Sequence, residues 1–279
     1  MERIKQAIEK AKKQHSSGDN QHIKQYLEGQ ETALARSTQI NDELEEISYE
    51  QTHVVKLQAE HLERNRIVSL NKSNPKSIPF DLLRTNVLQK MEEHGWRTLA
   101  ITSPTPEAGK SVVAINLAMS IAQLTNKTVL LVDFDLRRPK IGAYLGIPME
   151  KSLNDLLDGS AKLQEVLVNP DIPRFLVLPT KNPVKKSSET LSSRKITDLI
   201  NDLRERYESR IVIFDLPPLL VIDDAIALLP QIDCVLLVVA NGMTTKREIE
   251  DSLRYLSSAN FIGTVLNKAE SESRANYYY

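Results

Sequence analysis

Six short apolar runs constrain this chain more than any other feature. "TLAITS", "TVLLVDFD", "FLVLP", "RIVIFDLPP", "CVLLVVA" and "FIGTVLN" are near-continuous stretches of β-branched residues and leucine. Each is too short for a membrane span and too uniformly apolar for a half-solvated strand. Such runs fit strands covered on both faces. Helical patterns alternate with them at "SVVAINLAMSIAQL", "SSRKITDLINDLRERY", "DDAIALLP" and "KREIEDSLRYLSS". Strand-helix alternation of this kind predicts an α/β domain with a doubly wound, mostly parallel sheet.

The alternation begins only near Trp96. Residues 1 to about 70 are rich in Gln, Glu, Lys and His and show no clear strand. Ile4, Ala7, Ile8 and Ala11 recur at helical spacing, and a second helical stretch is expected over Glu43 to Leu70. The polar, proline-bearing "NKSNPKSIPF" reads as a linker. The expected division is therefore a helical or partly disordered segment at 1–75, a nucleotide-binding domain at 76–267 and a flexible tail at 268–279. A length of 279 residues accommodates one substantial core plus such extensions.

Charge narrows the function classes. With 36 basic and 37 acidic residues the net charge is -1, which argues against nucleic acid as partner. No apolar stretch reaches the roughly 18 to 20 residues of a membrane span, and the charged start "MERIKQAIEKAKKQH" lacks the apolar middle of a signal peptide. A cytoplasmic chain is expected, touching a membrane only through something else. The single cysteine, Cys234, sits inside an apolar run and is read as a buried hydrophobe.

Chemistry concentrates where "TLAITS" enters "SPTPEAGKS" and then a helix from about Lys110. Strand, tight loop and helix start form the setting of a phosphate-binding loop. Backbone amides at a helix N-terminus carry partial positive charge toward an anion. Pro106, Glu107, Ala108, Gly109, Lys110, Ser111 and Val112 are the residues expected to hold ATP. Gly109 would let backbone approach phosphate, Lys110 would reach the β and γ phosphates, and the Ser111 hydroxyl would ligate Mg2+. The strict pattern has glycine where this chain has Pro104. A chance Gly-Lys-Ser in an ordinary loop is the plain alternative. Asp133 and Asp135 end one apolar run and Asp215 ends another. Strands of a parallel sheet end on one edge, so all three carboxylates are expected to converge on that loop. A lone Asp at a strand end is often a helix cap, but three beside Gly-Lys-Ser indicate an Mg2+-dependent ATP site.

"SPTPEAGKS", "LLVDFDLRRP", "IVIFDLPP" and the terminal "YYY" together resemble the bacterial tyrosine kinase family, cytoplasmic autokinases of capsule and exopolysaccharide export. The resemblance covers roughly residues 80 to 279 and matches the Walker A, A′ and B boxes of a P-loop NTPase fold. It implies Lys110 and Ser111 on nucleotide and metal, and Asp135 as base or metal-linked residue. Asp133 and Asp215 would lie around Mg2+, and Asn267 near adenine. It also implies that Tyr277, Tyr278 and Tyr279 are phosphorylated, that subunits associate, and that a transmembrane polysaccharide co-polymerase or adaptor is the partner. Three departures stand out. Glu107 and Ala108 replace the usual Gly-Glu, and the tail has few tyrosines. Ile78, Asp81 and Arg84 stand where the family's ring-forming Glu-x-x-Arg-x-x-Arg falls. Three phosphates would add roughly -5 to the tail. Such a tail is expected to be expelled from an Asp-lined site. Two other readings stay open: a non-kinase ATPase of the septum-placing or DNA-partitioning type, and a nucleotide-binding module that has lost transfer. The former carries a lysine early in the loop, where this chain has Ser103, Pro104 and Thr105.

Overall fold

The computed structural model describes residues 53–124, 127–207 and 209–269. These residues belong to one compact unit beginning at Gln51. Residues 1–52, including the apolar stripe at Ile4 to Ala11, and the tyrosine tail lie outside the described residues.

Eight strands form one sheet: β1 (His53–Val54), β2 (Thr98–Thr102), β3 (Thr128–Asp133), β4 (Val168–Asn169), β5 (Phe175–Leu178), β6 (Arg210–Asp215), β7 (Cys234–Ala240) and β8 (Phe261–Asn267). Their spatial order is β1-β4-β5-β3-β6-β2-β7-β8. Every neighbouring pair is parallel except β4 with β5. β2, β3, β5, β6 and β7 are buried throughout, which is why their sequences are apolar at consecutive positions. β8 differs. It lies at one edge of the sheet, opposite β1, and Phe261 and Leu266 reach solvent.

Helices follow or precede these strands: α1 (Ala59–Arg64), α2 (Ile78–His94), α3 (Lys110–Ala122), α4 (Ile141–Leu145), α5 (Leu153–Asp158), α6 (Leu163–Val166), α7 (Ser187–Leu191), α8 (Arg194–Glu205), α9 (Asp224–Leu228) and α10 (Lys246–Tyr255). α3 is buried at every position but Val112, matching its apolar character on all sides. α8 instead buries only Ile196, Ile200 and Leu203, a single stripe at helical spacing. None of the described helices is long and apolar enough to cross a membrane. Cys234 is buried, and its Sγ lies 3.4 Å from the Thr98 carbonyl. Burial, aided by nearby Asp233, pushes its thiol up to about 12, so it is no thiolate.

Two expectations for the N-terminal part require correction. The helix expected over Glu43 to Leu70 is, within the described residues, a short strand, β1, followed by the six-residue α1 and a turn. Residues 53–75 are also not a separate segment or linker, because Val55, Leu62 and Ile67 are buried in the same core as Leu99 and Ile115. The proline-bearing stretch runs directly into α2, with Pro79 in its first turn, where a missing amide hydrogen costs nothing.

Asn116, fully buried on α3, fixes this N-terminal strap. Its Oδ1 accepts from the amides of Val68 and Ser69 at 2.8 and 3.0 Å. Its Nδ2 donates to the carbonyls of Arg66 and Val112. Asn116→Ala leaves the buried Ser69 amide and the part-buried Val68 amide without partners, at about 1–3 kcal/mol for each group left unpaired. A loss of about 3 kcal/mol is expected. Urea unfolding should show a lower midpoint with an unchanged slope, and an unchanged midpoint would contradict the anchoring role.

Candidate active site

The sheet order places β6 between β2 and β3, so the chain crosses over a strand in passing from β2 through α3 to β3. Ligands of open α/β sheets bind at the carboxyl ends of strands beside such a crossover. Here those ends belong to β2, β3 and β6.

β2 leads through residues 103–109 into α3. Gly109 caps the helix at φ 90°, a left-handed conformation costly for any residue with a Cβ. A Cβ there would also collide with Asn267 Nδ2. Asn267, the last residue of β8, donates from that nitrogen to the Ala108 carbonyl at 2.8 Å. The asparagine expected near adenine also braces the loop from below. The loop is held on its other side too, where Leu219 and Leu220 amides donate to the carbonyls of Ser103 and Pro104. Glu107 has φ 66° and is exposed. Its carboxylate is therefore directed to water. It occupies a left-handed position, where glycine is the unstrained choice.

Lys110 is buried and turned onto the carboxylates. Its Nζ lies 2.8 Å from Asp135 Oδ2 and 3.3 Å from Asp215 Oδ1, with Ser111 Oγ at 3.5 Å. Burial alone would lower the ammonium's pKa, but Asp215 and Asp135 outweigh it, and the group stays charged well above its usual range. Asp133 and Asp215 are directly opposed in the β3–β6 register. Burial first, and Asp215 next, push the Asp133 carboxyl well above its usual range, opposed by the Ile141 amide and Lys110. Burial likewise raises Asp215, with Lys110 the main opposing influence. Asp133 Oδ2 accepts from the amides of Lys140 and Ile141 at 3.0 Å each. Asp135 Oδ1 accepts from the Arg138 amide at 3.0 Å.

One carboxylate oxygen on each of Asp133 and Asp215, Oδ1 and Oδ2 respectively, is buried with no hydrogen-bond partner among the described residues. Two opposed carboxylates with orphaned oxygens form an electrostatic deficit that one lysine covers only in part. That fits a divalent cation. Among the described residues no three His, Cys, Asp or Glu side chains form a complete cage. This suits Mg2+, which takes one or two carboxylates and completes its shell with phosphate oxygens and water.

The structure therefore brings together Gly109, Lys110, Ser111, Asp133, Asp135, Asp215 and Asn267. Pro106 and Glu107 form the exposed outer turn, Ala108 is buried against Asn267, and Val112 is the partly exposed residue of the first α3 turn. Tyr277, Tyr278 and Tyr279 lie outside the described residues. The expected acidic lining is not found. The three carboxylates are buried, two of them on Lys110 and Asp133 on the amides of Lys140 and Ile141, so they present no open acidic wall to expel a phosphorylated tail. Arg84 is also committed within the chain. Its Nη1 bonds Asp81 at 2.8 Å and Ser120 Oγ at 3.1 Å, tying α2 to α3.

A second cluster escaped the sequence reading. Arg137 Nε donates to Ser187 Oγ at 2.8 Å and lies 3.3 Å from Asp224 Oδ2. Ser188 Oγ sits within hydrogen-bond reach of both Asp223 Oδ1 and Asp224 Oδ1, with one hydrogen to share between them. "DLRRP" was read for its carboxylates alone, and Asp224 only as the start of a helix.

Comparison with known proteins adds a family to this geometry. Residues 97–259 match the AAA domain family. The tyrosine-protein kinase CpsD of Streptococcus agalactiae serotype Ia is 30% identical over 71% of this chain and 84% of its own length. The tyrosine-protein kinase ptk of Acinetobacter johnsonii is 30% identical over 63% of this chain, which spans only 24% of that relative's length. The crystal structure of the chimerical protein CapA2B2 superposes with a TM-score of 0.68 at 27% identity, covering 78% of this chain and 94% of that one.

Proposed function

The chain belongs to the bacterial tyrosine-protein kinase family, and from that premise we propose that it transfers the γ-phosphate of ATP to tyrosines of its own C-terminal cluster. The observation that carries the reading is the gathering of Asp135 and Asp215 on Lys110, directly beneath the N-terminus of α3. In transfer, the tyrosine oxygen bonds to the γ-phosphorus, the bond to the bridging oxygen breaks, and ADP leaves. Gly109 admits backbone to the phosphates. The first amides of α3, which have no intrahelical acceptor, donate to them. Lys110 supplies positive charge, and Asp135 accepts the hydroxyl proton. Mg2+, held by Ser111, Asp133 and Asp215, would neutralise phosphate charge.

The ion pair between Lys110 and Asp135 gives this arrangement an order of events. The ammonium occupies Asp135 Oδ2 at 2.8 Å, and the Arg138 amide occupies Oδ1. When phosphates draw Lys110 away, Asp135 is released to take the tyrosine proton. Nucleotide thus primes the base.

The tail is the substrate this geometry favours. Asn267 touches the loop, and about 12 residues separate it from the chain's last tyrosine, a reach of up to ~40 Å when extended. That is enough to enter the site of a second copy, so a homo-oligomer is part of the proposal. Control of capsule or exopolysaccharide synthesis through a transmembrane adaptor is the corresponding biological role. Replacing Tyr277, Tyr278 and Tyr279 together by Phe should leave ATP binding intact and remove most phosphotyrosine. Phosphate incorporation equal to wild type would reject the tail as substrate.

A further inference from the structure

Asp224 is a carboxylate with 0% side-chain exposure that takes no part in holding Lys110 or the phosphate loop. What it does hold is Arg137. The guanidinium is engaged through Nε, by Asp224 and by Ser187 Oγ, while 44% of the Arg137 side chain is exposed. Nη1 and Nη2 have no hydrogen-bond partner among the described residues. An arginine anchored this way is a preset fork, the geometry that grips phosphate with two parallel hydrogen bonds.

Its surroundings are basic. Arg138 is exposed while its amide holds Asp135. The Val184 amide donates to the Leu136 carbonyl at 2.8 Å, laying the segment with exposed Lys185 alongside. Of the nearby acids, Asp224 is spent on Arg137, Asp223 accepts from Ser188, and Glu189 pairs with Lys186. Arg137, Arg138 and Lys185 thus form a locally cationic surface, while the exposed acid Glu107 lies on the separate phosphate loop.

We propose that Arg137, Arg138 and Lys185 form a phosphotyrosine receptor beside the acceptor position. It receives a tyrosine already phosphorylated on the tail of a second copy and so presents the next tyrosine to Asp135. This rests on the kinase reading above. Arg137 and Asp135 lie two positions apart in one loop, a span of at most about 7 Å, and Tyr277, Tyr278 and Tyr279 are consecutive, so any two of them lie one or two positions apart. Charge makes the receptor selective. In the sequence 268–279, Lys268 and Arg274 balance Glu270 and Glu272, so the unmodified tail offers no net charge. Each phosphate adds about -1.5 to -2.

The test uses two synthetic peptides of residues 268–279, one unmodified and one phosphorylated on Tyr279, titrated into the full chain with ADP and Mg2+ present. The phosphopeptide should bind at least tenfold tighter. The double variant Arg137→Lys/Arg138→Gln, which keeps a cation beside buried Asp224 but removes the guanidinium fork, should lose most of the preference, keep its ATP affinity, and accumulate singly phosphorylated tail where wild type becomes multiply phosphorylated. Equal affinity for the two peptides, or a preference that the variant largely keeps, would overturn the receptor. So would a variant that loses ATP affinity instead. Failure of wild type to phosphorylate itself would strike the kinase reading separately, since the peptide preference is measured without transfer.

Discussion

Lys110→Met is expected to lower phosphate transfer by two to three orders of magnitude or more, the effect of removing a charge aimed at a transferring phosphate. The substitution keeps the length of the side chain but removes the cation on which Asp135 and Asp215 converge. Breaking a buried pair by deleting one partner costs about 3–5 kcal/mol. The variant should therefore also unfold at lower denaturant. That deficit should shrink as the pH falls into the carboxylate range. Asp133 and Asp215 are already pushed upward by burial, so protons then replace the missing ammonium. Transfer close to wild type in a folded variant would remove Lys110 from the chemistry.

Asp135→Asn should separate chemistry from binding. The amide preserves shape and can still accept from the Arg138 amide, but it cannot take a proton from tyrosine. Losing a general base lowers rates by about 10²–10⁴. ATP affinity should change far less, because Lys110 keeps Asp215 as counter-ion at 3.3 Å. Single-turnover transfer measured beside equilibrium nucleotide binding gives both quantities. Equal factors in the two would make Asp135 a binding residue rather than the base.

The central strands and α3 were legible because burial on both faces writes itself into consecutive apolar residues. Lys110, Asp133, Asp135 and Asp215 were legible for a related reason: strand ends of a parallel sheet share an edge, and Gly-Lys-Ser marks that edge. Other features left little trace. The two-residue strands β1 and β4 are too short to carry a period. The strap at 53–70 belongs to the core through a few apolar residues and one distant asparagine, Asn116. Arg137 and Asp224 are 87 positions apart, and only the folded chain brings them together. Asn267 was found, but its bond to Ala108 was not, because proximity of β8 to the loop depends on strand order. The acidic lining failed because counting carboxylates ignores the buried lysine that gathers them.

The most direct measurement is phosphotyrosine mapping by mass spectrometry after purified wild type and Lys110→Met are incubated with ATP and Mg2+. Phosphate on Tyr277, Tyr278 and Tyr279 in wild type, and none in the variant, is the predicted result. Release of ADP by wild type with no phosphotyrosine on the chain would contradict it and leave an ATPase that does not act on its own tail.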